Sequence, residues 1–413
     1  MSSPATKHPK RWQWRAEWLF QCGLEGILRL LPGVLVYRMG AIVGGWAWYL
    51  LPRRRTIVLR NLRIAYAGDH DGAALRRIAR ESFRRTGANL FSAAHSAGLS
   101  PERLKQVLSI ENPELLEQAQ ADGSGVVLLL AHMSNWELLS RIVHLFPAGS
   151  KTGAFYRPLN NPLLDQQVLR RRQADGTRMF SKHDSPHQSA GFLREGGIVG
   201  ILADQRVGML GEVTPFFGRL TRTSPLPSLL ARRAKARVMA LALTTTAPGR
   251  WSARFVPVAA TRTTADCMVA LEQAMRPVPE DVFWFQDRWR VYLSADHDIH
   301  NWLGDRPPAS TKPHRGLLWL VDAPDGWPPP PGWRHPDVRY EVVLAPGRTV
   351  PAWLPDGTVV HPAPAATTRD EIRRVLAEID AADPLPLDYV LACHPNKALA
   401  KACRREGVVE VEV

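Results

Sequence analysis

One of the thirteen histidines stands in a setting that invites a chemical reading. The run Gly125-Val126-Val127-Leu128-Leu129-Leu130-Ala131 is apolar, His132 follows it, and Glu137 comes five residues later. An imidazole near neutral pH can take a proton from a hydroxyl, and a carboxylate can orient the ring and stabilise its cation. The run is too short for a membrane span and suits a buried, parallel strand. Glu137 through Val143 suits an opening helix. His132 is therefore expected at the carboxyl edge of a sheet, where open α/β folds gather their ligands. The same letters admit a second reading. Ser134-x-x-Glu137 has the form of a capping box, in which both side chains satisfy free N–H groups at a helix start. A histidine at a strand end is also often only a hydrogen-bonded rim residue. The pattern by itself leaves both readings open.

Wider words decide between them. His132-Met133-Ser134-Asn135-Trp136-Glu137 resembles the His-x4-Asp/Glu signature of glycerolipid-type acyltransferases, in the form found in the lipid A biosynthesis acyltransferases. Tyr156-Arg157-Pro158-Leu159-Asn160-Asn161-Pro162, the strand-like Ile198 to Gln205 ending in Asp204-Gln205, and Pro215-Phe216-Phe217-Gly218 resemble further words of that family, in the same order. Arg172, four residues before Gly176, matches its R-x-x-x-G spacing, and Asn61-Leu62 after Arg53-Arg54-Arg55 resembles the entry to its catalytic region. Two departures stand out. Trp284-Phe285-Gln286-Asp287-Arg288-Trp289 carries Gln286 where the family usually has histidine, and Ser224-Pro225-Leu226-Pro227 replaces a glycine-containing segment.

The resemblance implies an acyltransferase that moves a fatty acyl chain from a thioester to a hydroxyl of a lipid A precursor or related glycolipid. His132 would be the general base and Glu137 its orienting acid. Asn135, Tyr156, Arg157, Arg172, Asp204 and Gln205 would bind substrate. Arg157 and Arg172 suit phosphates of the acceptor or of the donor's phosphopantetheine. Bland roles compete: cations are favourable at a helix C-terminus anyway, and Asp204 could be a turn or cap residue. No metal or cofactor is expected beyond acyl carrier protein or acyl-CoA as co-substrate. Other lipid acceptors (a lysophospholipid, an aminolipid, a mannosylated lipid) and a non-catalytic basic lipid-binding relative remain as alternatives.

The elements that position these residues follow from composition. The chain has 413 residues, 53 Lys and Arg against 39 Asp and Glu, and 14 tryptophans. The formal charge of +14 favours an anionic partner. The expected partners are a membrane lipid acceptor, an acidic acyl carrier protein and the inner-membrane surface; no nucleic acid is expected, because no zinc-finger or RNA-recognition word accompanies the charge. Cys22, Cys267, Cys393 and Cys403 lack metal-ligand spacing and suit reduced thiols. The N-terminus does not read as a cleavable signal: it is basic (Lys7, Lys10, Arg11, Arg15), then crowded with Trp12, Trp14, Trp18, Leu19 and Phe20. Gly33 to Leu51 has the length to span a bilayer, but Arg38 and four glycines favour helices lying on or dipping into the inner leaflet, with the catalytic region facing the cytoplasm. A buried helical hairpin is the competing reading.

The fold class expected is α/β: a mixed sheet flanked by helices, an N-terminal membrane-associated helical segment, and a small C-terminal α/β domain. The boundaries are 1–60 for the N-terminal helices, 61–305 for the catalytic domain, 306–335 for a Pro-rich linker and 336–413 for the small domain. Helices are expected over Gly72–Gly98, Pro113–Gln120 and Asn161–Gln173. From Leu317 onward the order β-β-β-α-β-α-β weakly resembles half of a Rossmann-like glycosyltransferase, without a nucleotide-binding word.

Overall fold

A computed structural model describes residues 11–412, apart from 182–183, 295, 325–326, 328–331 and 355. Lys7, Lys10 and Pro328 to Pro331 lie outside the described residues. From the N-terminus the elements are α1 (Arg11–Leu30), α2 (Gly33–Leu50), α3 (Pro52–Tyr66), α4 (Gly72–Ser96), α5 (Pro101–Val107), β1 (Leu108–Ile110), α6 (Glu114–Ala121), β2 (Val126–Leu130) and a 3-10 helix (Trp136–Leu145). There follow β3 (Thr152–Tyr156), α7 (Pro162–Gln173), β4 (Arg178–Ser181), α8 (Pro186–Arg194), β5 (Ile198–Leu202), β6 (Glu212–Phe216), β7 (Arg219–Thr223), α9 (Leu226–Ala234), β8 (Arg237–Ala247), β9 (Arg250–Pro257) and α10 (Thr264–Met275). The C-terminal part adds α11 (Ile299–Leu303), β10 (His314–Leu320), β11 (Val338–Leu344), β12 (Val359–Pro362), α12 (Arg369–Ala381), β13 (Tyr389–Ala392), α13 (Lys397–Glu406) and β14 (Val409–Glu412).

The chain forms two compact units. The first takes residues 11–47, Glu81–Asp204 and Leu226–Phe283. Its seven-stranded sheet has the order β1-β9-β8-β2-β5-β3-β4. All neighbours pair in parallel except β8 and β9, which are antiparallel. Every residue of β2 is buried, as its unbroken Val-Val-Leu-Leu-Leu requires of a strand with parallel neighbours on both sides. The expected mixed sheet flanked by helices is therefore present, with α8, α9 and α10 packed against β5, β2, β8 and β9. Thr263 and Asp266 close a reciprocal capping box at the start of α10.

The glycines of α2 have a local cause. A Cβ on Gly40 would stand 2.5 Å from the Gly87 carbonyl oxygen, and one on Gly44 would stand 2.2 Å from that of Phe83. The α2 and α4 backbones cross at a distance only glycine permits. No single helix among the described residues is long and apolar enough to cross a membrane; α2 and α3 reach that composition only as a bent pair. The outer sides of α1 and α2 nevertheless expose Trp12, Phe20, Ile27, Leu30, Ile42 and Trp46.

The second unit takes Trp48–Arg80, Gln205–Pro225 and Trp284 onward. These units cut across the boundaries expected from composition. The second holds a five-stranded all-parallel sheet, β12-β11-β10-β13-β14, and the hairpin β6-β7. In chain order the strands run third, second, first, fourth, fifth, the doubly wound arrangement. Its central strand, β10, comes from the stretch read as a Pro-rich linker; flanking prolines set that composition, while the seven residues between them are all buried. One face carries α12 and α13 through Leu376, Ile379, Leu399 and Cys403. The Phe-Phe-Gly word lies here too. Phe216 stacks on Trp289 with ring centroids 5.8 Å apart, and Arg288 donates to Thr221 Oγ1 and Thr223 Oγ1. Asn61 Nδ2 donates to the carbonyls of Trp284 and Gln286, so three of the family-like words brace one another as scaffold.

Candidate active site

Strand register builds the site. β2 and β5 pair with Leu130 opposite Leu202, so two residues beyond each strand His132 and Asp204 come side by side. Asp204 is buried. Its Oδ2 accepts from the His132 backbone N–H at 3.0 Å, and its Oδ1 lies 2.8 Å from His132 Nδ1. Trp136 meets the imidazole edge-on at 5.4 Å between centroids, and Phe283 lies at 6.4 Å. Burial alone would lower the pKa of this imidazole, and Arg172 acts in the same direction. The charge and hydrogen bond of Asp204, helped by Glu137, outweigh both and leave it raised. Burial would likewise raise the Asp204 carboxyl, but the charge of His132 and the hydrogen bonds it provides hold it below its ordinary range.

The loop after His132 is pinned from outside. Ser134 adopts a positive φ of 52°, uncommon for a residue with a side chain. Its N–H donates to the Asp281 carbonyl at 2.7 Å, and the Phe283 N–H donates to the His132 carbonyl at 2.8 Å. Asp281 in turn accepts from the Thr245 N–H and pairs with Arg85. The capping box allowed by the sequence does not form, because Ser134 Oγ bonds Thr245 Oγ1 instead. The helix that follows is 3-10 rather than α, with Asn135 at its start making no side-chain cap.

Glu137 occupies a different place from the one expected. Its carboxylate takes both Arg172 Nη2 at 2.7 Å and Arg172 Nε at 3.2 Å, a forked ion pair on the first turn of the 3-10 helix. The carboxylate on Nδ1 of His132 is Asp204, which sequence reasoning had assigned to substrate. Asn135 is 1% exposed and donates to Ser96 Oγ, supporting the loop from beneath. Tyr156 ends β3 at the same carboxyl edge as His132, half-buried, and the exposed Arg157 follows it. Gln205, next to Asp204 in the chain, is half-buried and belongs to the second unit. Among the described residues no cluster of three His, Cys, Asp or Glu could hold a metal ion.

Below the Glu137–Arg172 pair opens an apolar slot of about 70 Å³. Leu130, Gly200 and Leu202 line it from the sheet, Ile142 from the 3-10 helix and Phe146 from the residue just after it. A histidine–aspartate pair, a guanidinium and an apolar slot thus meet within one unit. That combination sets a proton acceptor and a cation beside an apolar surface.

The chain belongs to the bacterial lipid A biosynthesis acyltransferase family, whose pattern matches residues 2–291, and it is an acyltransferase. It is similar to the lipid A biosynthesis palmitoleoyltransferase of Escherichia coli strain K12, 24% identical over 308 residues, 71% of this chain and 96% of that protein. It is 26% identical over 216 residues to the lipid A biosynthesis lauroyltransferase of the same strain, covering 52% of this chain and 68% of that protein. A Shigella flexneri lipid A biosynthesis acyltransferase is similar at 24% over 308 residues.

Proposed function

We propose that this acyltransferase moves a fatty acyl chain from an acyl thioester to a hydroxyl of a lipid A precursor at the inner-membrane surface, with His132 as base and Asp204 as the group that holds it. The observation that carries the reading is the 2.8 Å contact between His132 Nδ1 and Asp204, on an imidazole met edge-on by Trp136, which lines the slot. With Nδ1 turned to Asp204, Nε2 takes the acceptor hydroxyl's proton. The hydroxyl oxygen attacks the thioester carbonyl as the proton leaves. The negative oxygen of the tetrahedral adduct is met by Arg172. The carbon–sulfur bond then breaks, the thiolate departs and receives the proton from the imidazolium, and an ester remains. No covalent acyl-enzyme is required. Asp204 fixes the ring's tautomer and stabilises its cation. Glu137 holds Arg172 in place, and the apolar slot receives the acyl chain.

The exposed aromatic and aliphatic side chains of α1 and α2, with the net charge of +14, support seating on an anionic lipid surface. The same charge suits an acidic acyl carrier protein as donor. Acyl transfer from acyl carrier protein to lipid A precursors in detergent micelles tests the reading, wild type beside His132→Ala. Loss of the base is expected to lower the rate by a factor on the order of 10²–10⁴. Equal rates in both would overturn the mechanism. Transfer by wild type to a lysophospholipid but to no lipid A precursor would reassign the acceptor.

A further inference from the structure

α7 carries Arg172, and the way it is held is informative. None of its residues from Pro162 to Gln173 is buried, so apolar burial contributes little to where it sits. α1, beside it, buries only Glu25 and Leu28. Polar contacts join the two helices along their length. At the start of α7, Asn161 accepts from the Leu163 N–H through Oδ1, while its Nδ2 donates to the Trp14 carbonyl at 3.0 Å and to Glu17 at 2.9 Å. Midway, Cys22 Sγ donates to Gln167 Oε1 and Gln167 Nε2 donates to Glu25 at 3.0 Å. In the last turn Arg171 pairs with Glu25, which also accepts from Gln21. Successive helical residues point about 100° apart. Arg171 therefore faces α1 while Arg172 faces Glu137.

We propose that Glu25 is a positioning residue for acyl transfer: through Arg171 it fixes the last turn of α7, and so sets where the Arg172 guanidinium lies on Glu137. The buried Glu25 carboxylate belongs to the helix whose opposite side exposes Trp12, Phe20, Ile27 and Leu30. The seating of α1 on a lipid surface is thereby linked to the geometry of the site. This inference rests on the reading that the Glu137–Arg172 pair serves the reaction.

The test measures hydrogen exchange of α7 and acyl-transfer kinetics on the full chain, for wild type, Glu25→Ala, Glu25→Asp, Arg171→Gln, Arg172→Ala and Glu25→Ala combined with Arg172→Ala. Glu25→Ala is expected to speed exchange of the α7 amides and to lower kcat about tenfold, and to add little in the Arg172→Ala background. The acid limb of its pH–rate profile is expected to move to higher pH, because His132 faces Asp204, Glu137 and Arg172, and only the cation withdraws. Glu25→Asp should recover part of the rate. Arg171→Gln cuts the same contact from the exposed helix and should reproduce the effect, which keeps the test open if Glu25→Ala does not fold. Unchanged α7 exchange, faster exchange with unchanged kcat, or losses that multiply in the double variant would each overturn the proposal. An inert His132→Ala beside normal α7 behaviour speaks only to the base, whereas full activity of Arg172→Ala with faster α7 exchange in Glu25→Ala would sink the underlying reading and not the clamp.

Discussion

Among the histidine–aspartate pairs of the described residues, His132–Asp204 and His314–Asp388 stand in contrasting settings. His132 and Asp204 meet at 2.8 Å in the first unit; His314 Nδ1 and Asp388 Oδ2 stand 3.3 Å apart in the second. Asp388 also accepts from Arg60, Arg219 and the Arg315 backbone N–H. Burial would raise its carboxyl, yet the charges of Arg219, His314 and Arg60 hold it well below the ordinary carboxylate range. His314 is fully buried, and its Nε2 lies 3.1 Å from the Leu220 carbonyl. Asp204 meets one histidine ring and one backbone N–H. The pair type is the same; the guanidinium groups that crowd Asp388 separate the two settings.

The largest expected effect breaks the pair proposed to react. Asp204→Asn keeps the shape and the bond from the His132 N–H but removes the charge behind the ring. We expect kcat to fall by a factor on the order of 10²–10⁴ with little change in Tm. A variant that unfolds with its specific activity intact would place Asp204 with Asp388. The mirror experiment is Asp388→Ala. It strands buried guanidinium groups, of which Arg219 already has Nε and Nη1 without partners. Removing one partner of a buried ion pair costs roughly 3–5 kcal/mol, read by denaturant unfolding, while transfer per folded molecule should persist. A smaller effect sharpens the comparison at the slot. A Cβ on Gly200 would meet Leu130 Cδ1 at 3.0 Å, the far end of a flexible side chain. Gly200→Ala should therefore fold and shorten the preferred acyl chain, changing the ratio of rates for two donors one or two methylenes apart by roughly tenfold. Competition between acyl donors, followed by mass spectrometry of the product, measures it.

How much of this was legible in the sequence varies with the range of the interaction that decides it. β2, α7 and β5 were each marked by local pattern, because buried runs and capping residues are local. His132 was legible through its word. Its partner was not, since Asp204 reaches it only after β5 pairs with β2, and register between strands seventy residues apart leaves no local mark. Glu137 misled for the same reason: the nearest carboxylate in sequence is turned to Arg172 by α7, which arrives later in the chain. The glycines of α2 were weighed against a bilayer span, while their local cause, the close crossing with α4, left no mark in the sequence. The prolines around β10 drew the linker boundary across it, although the strand itself and the order of elements from Leu317 onward were readable from alternation.

The finest separation of the two pairs lies in how they titrate. In the proposed mechanism neutral His132 is the base, so the rate should rise as pH climbs through its pKa, which stands above the ordinary histidine value of 6.5. Burial and Arg172 lower that pKa, and Asp204 and Glu137 raise it. Asp204→Asn should therefore carry the acid limb of the residual activity to lower pH. Arg172→Ala should carry it upward, because the cation is removed and the charge of Glu137 is left uncompensated. The two substitutions push one curve in opposite directions, and a pH–rate series on both variants reads the sign. Movement of both limbs the same way would mean that the titrating group lies elsewhere. The Asp388 pair gives the contrasting case. Its carboxylate is charged in the folded state with its pKa depressed, so its contribution to stability is present above the unfolded aspartate value near 3.8 and is lost as pH falls toward the folded one. That loss belongs to acid unfolding and leaves the acid limb of catalysis, several pH units higher, untouched.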